Sequence, residues 1–454
     1  MRTVTDQHIA ILGGARSGIA VARLLKKQGA VPFVSDTSPI REDLKTLLKS
    51  EGIEWEEGGH SDRVRQQASM VVVSPGIPDS AEIMKYHKRE GTPVYSELEV
   101  ADWFNQSPVI AVTGSNGKTT VTRWLEFTWQ TAGRDVRAGG NIGLPYSDLI
   151  SDSGTETTMI LEVSSFQLDH IWKFRPGIGV ILNITPDHLD RYEQNFDRYA
   201  DAKLRLTENQ QSSDLLIYNA DDPVTAGRVE QLANNTDGPK IFAYSIRHEV
   251  DRGAFVRNDT IWFNLNGHEE KLMPIKEVGI PGTHNLGNGL ATALVARVSE
   301  IRDEWIRESL KQFTGVEHRL EMVRELDGVR YVNDSKATNI NAVWFALDSY
   351  QAPIVLILGG RDKGNDYRAL NDQIRNKVHT IIGLGEARQA IKKQLKSVVP
   401  NYLEAGDMSE AVRLAKKQGK RGEIVLLSPA CASFDMFENY EHRGDAFKEA
   451  VREL

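Results

Sequence analysis

The chain has almost no cysteine: one in 454 residues, Cys431. A single thiol excludes an intrachain disulfide framework and fits a reducing compartment. Long apolar runs are missing too. Nothing in the sequence approaches the roughly 18 uninterrupted apolar residues of a membrane span. The opening MRTVTDQHIAILGG lacks the charged, apolar, small-residue order of an export signal. Nor is there any basic excess. Lys and Arg number 55 against 63 Asp and Glu, for a formal net charge of -8, which argues against a nucleic-acid binder. We therefore expect a soluble, cytoplasmic protein with no membrane insertion and no nucleic-acid partner, in which local cations hold any anionic substrate. At 40% hydrophobic and 26% charged residues the composition is that of an ordinary globular chain. Its length suits about three domains of roughly 150 residues.

What the sequence does contain is strand–helix alternation broken by glycine-rich turns. His8 to Leu12 reads as a strand, Gly18 to Gly29 as a helix, and Val31 to Ser35 and Met70 to Ser74 as strands. That order predicts a parallel sheet flanked by helices. GGARSG (Gly13 to Gly18) follows the first strand, and Asp36 ends the second where a ribose-binding acid can sit. The glycines are not spaced as GxGxxG, so a nucleotide-sugar loop, a dinucleotide loop and a plain turn all stay open. VVSPGIP (Val72 to Pro78) ends a strand in a rigid turn, at the edge where such sheets hold ligands. A second unit opens near Glu97 and runs to about Thr314. A third begins at Gly315, with Ile354 to Leu358, Thr380 to Gly383 and Ile424 to Leu427 as buried strands.

The most informative stretch is TGSNGKTT (Thr113 to Thr120), directly after the apolar run Val109 to Val112. Gly114 and Gly117 let backbone N–H groups converge on phosphate oxygens at a helix N-terminus. Lys118 can then reach the outer phosphates, and the Thr119 hydroxyl can ligate Mg²⁺ beside Thr120. The first glycine lies closer to Gly-Lys than in the common GxxxxGK[ST] loop. Further motifs follow predicted strands: EVSSFQ (Glu162 to Gln167), NITPDHLD (Asn183 to Asp190) and NDSKATN (Asn333 to Asn339), then LGGRDKG (Leu358 to Gly364) and SPACASFD (Ser428 to Asp435). Those in the third unit share one carboxyl edge, where open α/β sheets bind ligands. HNLGN (His284 to Asn288) opens a helix, with Asn285 and Asn288 on one face, and EHR (Glu317 to Arg319) starts the third unit.

Lys203 poses the sharpest question. Phe196, Tyr199, Lys203 and Leu204 fall on one helix face. The lysine either snorkels its ammonium to water or is buried as a neutral amine able to take up CO₂ as a carbamate. The pattern alone leaves both readings open.

In this order, and through essentially the whole chain, these motifs resemble the Mur ligase family. The resemblance implies an α/β protein of three domains. They would be an N-terminal Rossmann-like nucleotide-sugar domain (1–97), a central P-loop ATPase-like domain (98–314) and a C-terminal Rossmann-like domain that binds the amino acid (315–454). It implies an ATP-dependent, ADP-forming peptide ligase of peptidoglycan precursor synthesis, monomeric, with UDP-N-acetylmuramoyl-L-alanine and D-glutamate as substrates. By the same resemblance, Gly114, Ser115, Asn116, Gly117, Lys118, Thr119, Thr120, Asn285, Asn288, Arg319 and Asp334 would hold ATP. Thr119 and Glu162 would bind one Mg²⁺, and His188 with a CO₂-derived carbamate on Lys203 a second. Lys336 would neutralise the migrating phosphoryl group. Ser17, Asp36, Thr37, Ser74, Asn141 and Gln167 would take the UDP-substrate, and Thr338, Lys363, Ser433, Phe434 and Tyr440 the D-glutamate. A hinge near Thr314 would close the site.

The alternatives are a related ligase that adds another amino acid or extends folate, a nicotinamide dehydrogenase, and a non-catalytic ATP switch. The poor glycine spacing argues against the dehydrogenase.

Overall fold

A computed structural model describes residues 3–150, 154–232, 237–265, 267–362 and 364–454. Among them are three sheets. The first comprises β1 (His8–Leu12), β2 (Val31–Asp36), β3 (Glu54–Glu57), β4 (Met70–Val73) and β5 (Val94–Ser96), in the order β3-β2-β1-β4-β5. Every pairing in it is parallel. The strand order reverses direction at β1 and β4, so the turns after these two strands flank the crevice where doubly wound sheets take ligands.

The second sheet holds β6 (Val109–Thr113), β7 (Val136–Gly140), β8 (Thr158–Glu162), β9 (Ile178–Ile181), β10 (Leu215–Asn219), β11 (Lys240–Ser245), β12 (Gly253–Arg257), β13 (Thr260–Leu265) and β14 (His268–Pro274). Its order is β14-β13-β12-β11-β10-β9-β6-β8-β7. Pairing is parallel from β7 to β12 and antiparallel only in the β12-β13-β14 meander. The third sheet holds β15 (Glu321–Leu326), β16 (Val329–Asn333), β17 (Ile354–Gly359), β18 (Val378–Leu384), β19 (Asn401–Glu404) and β20 (Ile424–Leu427), in the order β15-β16-β20-β17-β18-β19. The α/β class and the parallel sheets follow from the sequence alternation. Strands such as β6, β17 and β20 are buried along their whole length, because helices cover both faces.

The contacts group the chain into two compact units: Met1–Val278 with Gly287–Lys311, and Gly279–Leu286 with Gln312–Leu454. The first unit carries two sheets as one body because their cores merge. Leu24 from the first helix and Leu98 and Ala101 from helix Glu97–Asp102 pack in the same cluster as Val109, Ala111, Met159 and Leu161.

A buried carboxyl, Glu97, and a half-buried one, Asp102, sit at that joint. The Glu97 carboxylate accepts the Ser147 N–H at 2.6 Å, while its other oxygen has no hydrogen-bond partner. The Tyr146 hydroxyl donates to Asp102 at 3.2 Å. Burial pushes both acids up to about 7. A raised carboxyl favours the folded state while it is protonated, so this stability is present below the ordinary carboxylate range and is lost as pH rises through about 7. The melting temperature should fall between about pH 5 and about pH 7.5 and level off above, and Glu97→Gln should flatten that fall. An unchanged slope in the variant would exclude Glu97 as a source.

Candidate active site

The loop between β6 and helix Lys118–Thr131 has the strand–turn–helix form its sequence predicts. Gly117 is the helix N-cap at φ +89, and a Cβ there would lie 2.6 Å from the Asn288 Oδ1, so only glycine brings loop and amide together. The next strand shapes the loop. The Asn116 N–H donates to the Asn183 Oδ1 at 2.8 Å, and the Asn183 amide nitrogen donates to the Asn116 carbonyl at 3.0 Å. This side chain thus pairs with both main-chain groups of one residue as a neighbouring strand would. The Ser115 hydroxyl donates to the Thr185 carbonyl at 2.8 Å and lies 2.9 Å from the Tyr199 hydroxyl.

Two lysines converge on one carbonyl. The Lys118 Nζ donates to the Gly114 oxygen at 2.8 Å and to the Ser115 oxygen at 3.1 Å. The Lys203 Nζ donates to the same Gly114 oxygen at 2.9 Å and lies 4.7 Å from the centre of the Tyr199 ring. Lys203 is only 2% exposed, so the snorkelling reading is wrong: helix Phe196–Leu204 turns the amine inward. Burial, with the positive Lys118 beside it, holds this amine well below the usual lysine range.

The Thr119 hydroxyl donates to the Glu162 Oε2 at 2.7 Å, and both residues are buried. The other Glu162 oxygen accepts the Asn141 amide at 2.9 Å. A hydroxyl and a carboxylate at this range suit Mg²⁺, a hard cation that takes oxygen ligands and completes its shell with water and phosphate. His188 is exposed, at φ +50, with Nε2 3.7 Å from the Asp187 carboxylate and its ring 5.3 Å from Phe166. Among the described residues no three His, Cys, Asp or Glu side chains group as a metal cage.

At the first sheet, Ser17 lies in the first turn of helix Arg16–Lys27 and Thr37 is exposed after β2. Both Asp36 oxygens accept main-chain N–H groups, from Gly14 at 2.7 Å and Ser38 at 2.8 Å, so Asp36 also braces the loop. The Ser74 hydroxyl is buried without a partner, and a Cβ on Gly13 would come within 2.5 Å of it. An orphan hydroxyl against a bare glycine suits an oxygen-rich ligand. Gln167 is buried, with its oxygen committed to a capping box on Ser164.

In the C-terminal unit, Asp334 follows β16 and accepts the Ser428 hydroxyl at 2.7 Å and the Leu320 N–H at 3.3 Å. Burial pushes it up to about 7, against the pull of Ser428 and Arg319. The Lys336 Nζ stands 5.4 Å from the Tyr440 ring centre, and Thr338 is half-buried just before helix Ile340–Asp348. Ser433 is buried whereas Phe434 is 62% exposed, so these neighbours cannot present side chains to a ligand in the same way. Lys363 lies outside the described residues. Asn285 donates to the Pro281 carbonyl at 2.7 Å. Burial and the charge of Arg319 lower His284 to about 4.

Sequence reading missed several residues that hold these loops. Asn183 and Tyr199 shape the phosphate loop, and only Asn183 lay inside a recognised motif. Arg443 is 1% exposed and donates to the Ser335 hydroxyl at 2.9 Å, the Ser335 carbonyl at 2.8 Å and the Cys431 carbonyl at 3.0 Å. It ties the turn after β16 to the turn after β20, and nothing in its local sequence signals that. Cys431 is itself fully buried 3.0 Å from the Tyr367 hydroxyl, and burial pushes its thiol up to about 11.

Comparison with known proteins covers most of the chain. Residues 8–83 match the MurD N-terminal domain, 112–296 the Mur ligase middle domain and 318–431 the Mur ligase, glutamate ligase domain. The UDP-N-acetylmuramoylalanine–D-glutamate ligases of Salinibacter ruber and Christiangramia forsetii are each 44% identical to this chain over 99% of it, covering 99% and 100% of their own lengths. Among solved structures, a UDP-N-acetylmuramate-alanine ligase from Thermotoga maritima has a TM-score of 0.60 at 18% identity, covering 98% of this chain and 99% of its own. A pseudomurein peptide ligase type C from Methanothermus fervidus also reaches 0.60 at 18%, covering 99% and 100%. At such identities these two share the fold.

Proposed function

We propose that this chain, which belongs to the Mur ligase family, joins D-glutamate to UDP-N-acetylmuramoyl-L-alanine in an ATP-dependent, ADP-forming reaction. The observation that carries the reading is the end-to-end likeness to D-glutamate ligases, at 44% identity. The phosphate loop, the Thr119–Glu162 pair and buried Lys203 agree with it. In this reading the alanyl carboxylate attacks the γ-phosphorus of ATP, and ADP departs. The D-glutamate amine then attacks the resulting acyl phosphate, and phosphate leaves as the amide forms. Both reactants are anions, so positioning and charge screening supply most of the acceleration.

The Gly114 to Thr120 loop and Lys118 hold the β- and γ-phosphates, the Ser115 and Asn116 N–H groups being committed instead to the Asn183 carbonyl at 2.9 Å and Oδ1 at 2.8 Å, with Asn285, Asn288, Arg319 and Asp334 on the nucleoside. Thr119 and Glu162 hold one Mg²⁺, which when bound screens the phosphates from the incoming carboxylate. His188 and Lys203 serve the second. An unprotonated Lys203 amine adds to CO₂, forming the N–C bond and releasing a proton, and becomes an oxygen anion. Ser17, Asp36, Thr37, Ser74, Asn141 and Gln167 take the UDP-substrate. Lys336 supplies positive charge to the transferring phosphoryl. Thr338, Lys363, Ser433, Phe434 and Tyr440 take D-glutamate. We keep 1–97, 98–314 and 315–454 as the functional domains, and a cytoplasmic monomer as the working state.

The test is phosphate release by the purified chain across amino acids and acceptors. Turnover should require D-glutamate together with UDP-N-acetylmuramoyl-L-alanine. Activity with L-glutamate and a folate instead would overturn the reading.

A further inference from the structure

One guanidinium bridges the first two sheets at the site. Arg191 lies in the 3₁₀ turn Leu189–Tyr192, and its N–H donates to the His188 carbonyl at 3.0 Å. Its side chain reaches into the turn after β4. There it donates to the carbonyls of Pro75 at 3.2 Å, Gly76 at 3.3 Å and Ile77 at 3.0 Å. The guanidinium also stands 4.4 Å from the centre of the Phe166 ring. Phe166 in turn meets the His188 ring edge-on at 5.3 Å and stacks on Tyr192 at 6.0 Å. A second link, 3.0 Å between the His170 Nε2 and the Asp79 carboxylate, joins the same turn to the central sheet.

The planar fork of arginine can address three successive carbonyls at fixed angles, which a flexible ammonium cannot. Its rotation is further limited by the aromatic face of Phe166. The turn from Ser74 to Ile77, with its orphan hydroxyl, is therefore mechanically tied to the backbone that carries His188.

We propose that Arg191 is a positioning residue that sets the register between the turn receiving the nucleotide sugar and the His188 side of the ATP site. The proposal rests on the assignment of the β1 and β4 turns to the UDP-substrate. Cutting the tie leaves the phosphate loop intact, because Asn183, Tyr199 and Lys203 hold that loop from other directions. The acceptor is what should loosen.

The experiment is steady-state kinetics and calorimetric binding on the full chain, with Arg191→Ala and Arg191→Lys beside the parent. In Arg191→Ala the KM and Kd for UDP-N-acetylmuramoyl-L-alanine should rise about 10- to 100-fold, the scale of losing charge-assisted hydrogen bonds. The KM for ATP should stay within about twofold, since uniform ATP contacts are untouched. Arg191→Lys should recover part of the acceptor affinity, and it carries the comparison should the alanine variant melt early. Unchanged acceptor KM in both variants, or an equal rise in the KM for ATP, overturns the proposal. A parent chain that shows no D-glutamate-dependent turnover fails the ligase reading instead, and the two failures are separate.

Discussion

Lys118→Ala should lose on the order of 10³-fold in turnover, the upper scale for removing one preorganised charged donor from a transition state. Its Nζ is held over the mouth of the loop by the Gly114 and Ser115 carbonyls, 2.8 and 3.1 Å away. From there a short swing reaches an outer phosphate. Alanine keeps the helix start at Lys118, so folding should survive and the loss should appear in kcat. Initial rates of ADP formation, with the melting temperature measured alongside, decide the matter. A variant that turns over at the parent rate would remove the nucleotide assignment of this loop.

The second large effect is expected at Lys203. Lys203→Ala should be impaired about 10²- to 10³-fold, with part of the rate returning when formate or acetate is supplied. The geometry explains why a small acid should help. The amine is enclosed, bonded to the Gly114 carbonyl at 2.9 Å and backed by the Tyr199 ring, so alanine leaves a gap beside the phosphate loop. If the working species is a carbamate, the missing part is an oxygen anion, and a free carboxylate can stand in. A ¹³C resonance from labelled CO₂, present in the parent and absent in the variant, gives a readout independent of turnover. Full activity of Lys203→Ala without additive would leave the lysine with no part in the reaction.

Sequence reading succeeded in the conformation wherever one short segment dictates it. TGSNGKTT is such a segment, because its glycines, lysine and threonine dictate a strand–turn–helix cradle by themselves, and Glu162 lies at a strand end that the apolar pattern of β8 predicts. It fell short where tertiary neighbours decide. The apolar stripe on helix Phe196–Leu204 admits both a snorkelling and a buried Lys203, and only the packing of Tyr199 and Gly114 distinguishes them. Asp36 was legible as an acid at the end of β2, but its commitment to Gly14 and Ser38 was not. Arg191 and Arg443 reach carbonyls more than a hundred residues away, at Pro75 and Ser335, and no local spacing encodes those meetings.

The seclusion of Cys431 has a practical consequence. A thiol with no exposed surface, titrating near 11, presents almost no thiolate to maleimide or iodoacetamide at neutral pH. The unaltered chain is therefore a silent background for site-specific labelling. Cysteines introduced at chosen surface positions would take up fluorophores or spin labels alone, so distances between labels could be followed through a catalytic cycle without first engineering the native sulfur away.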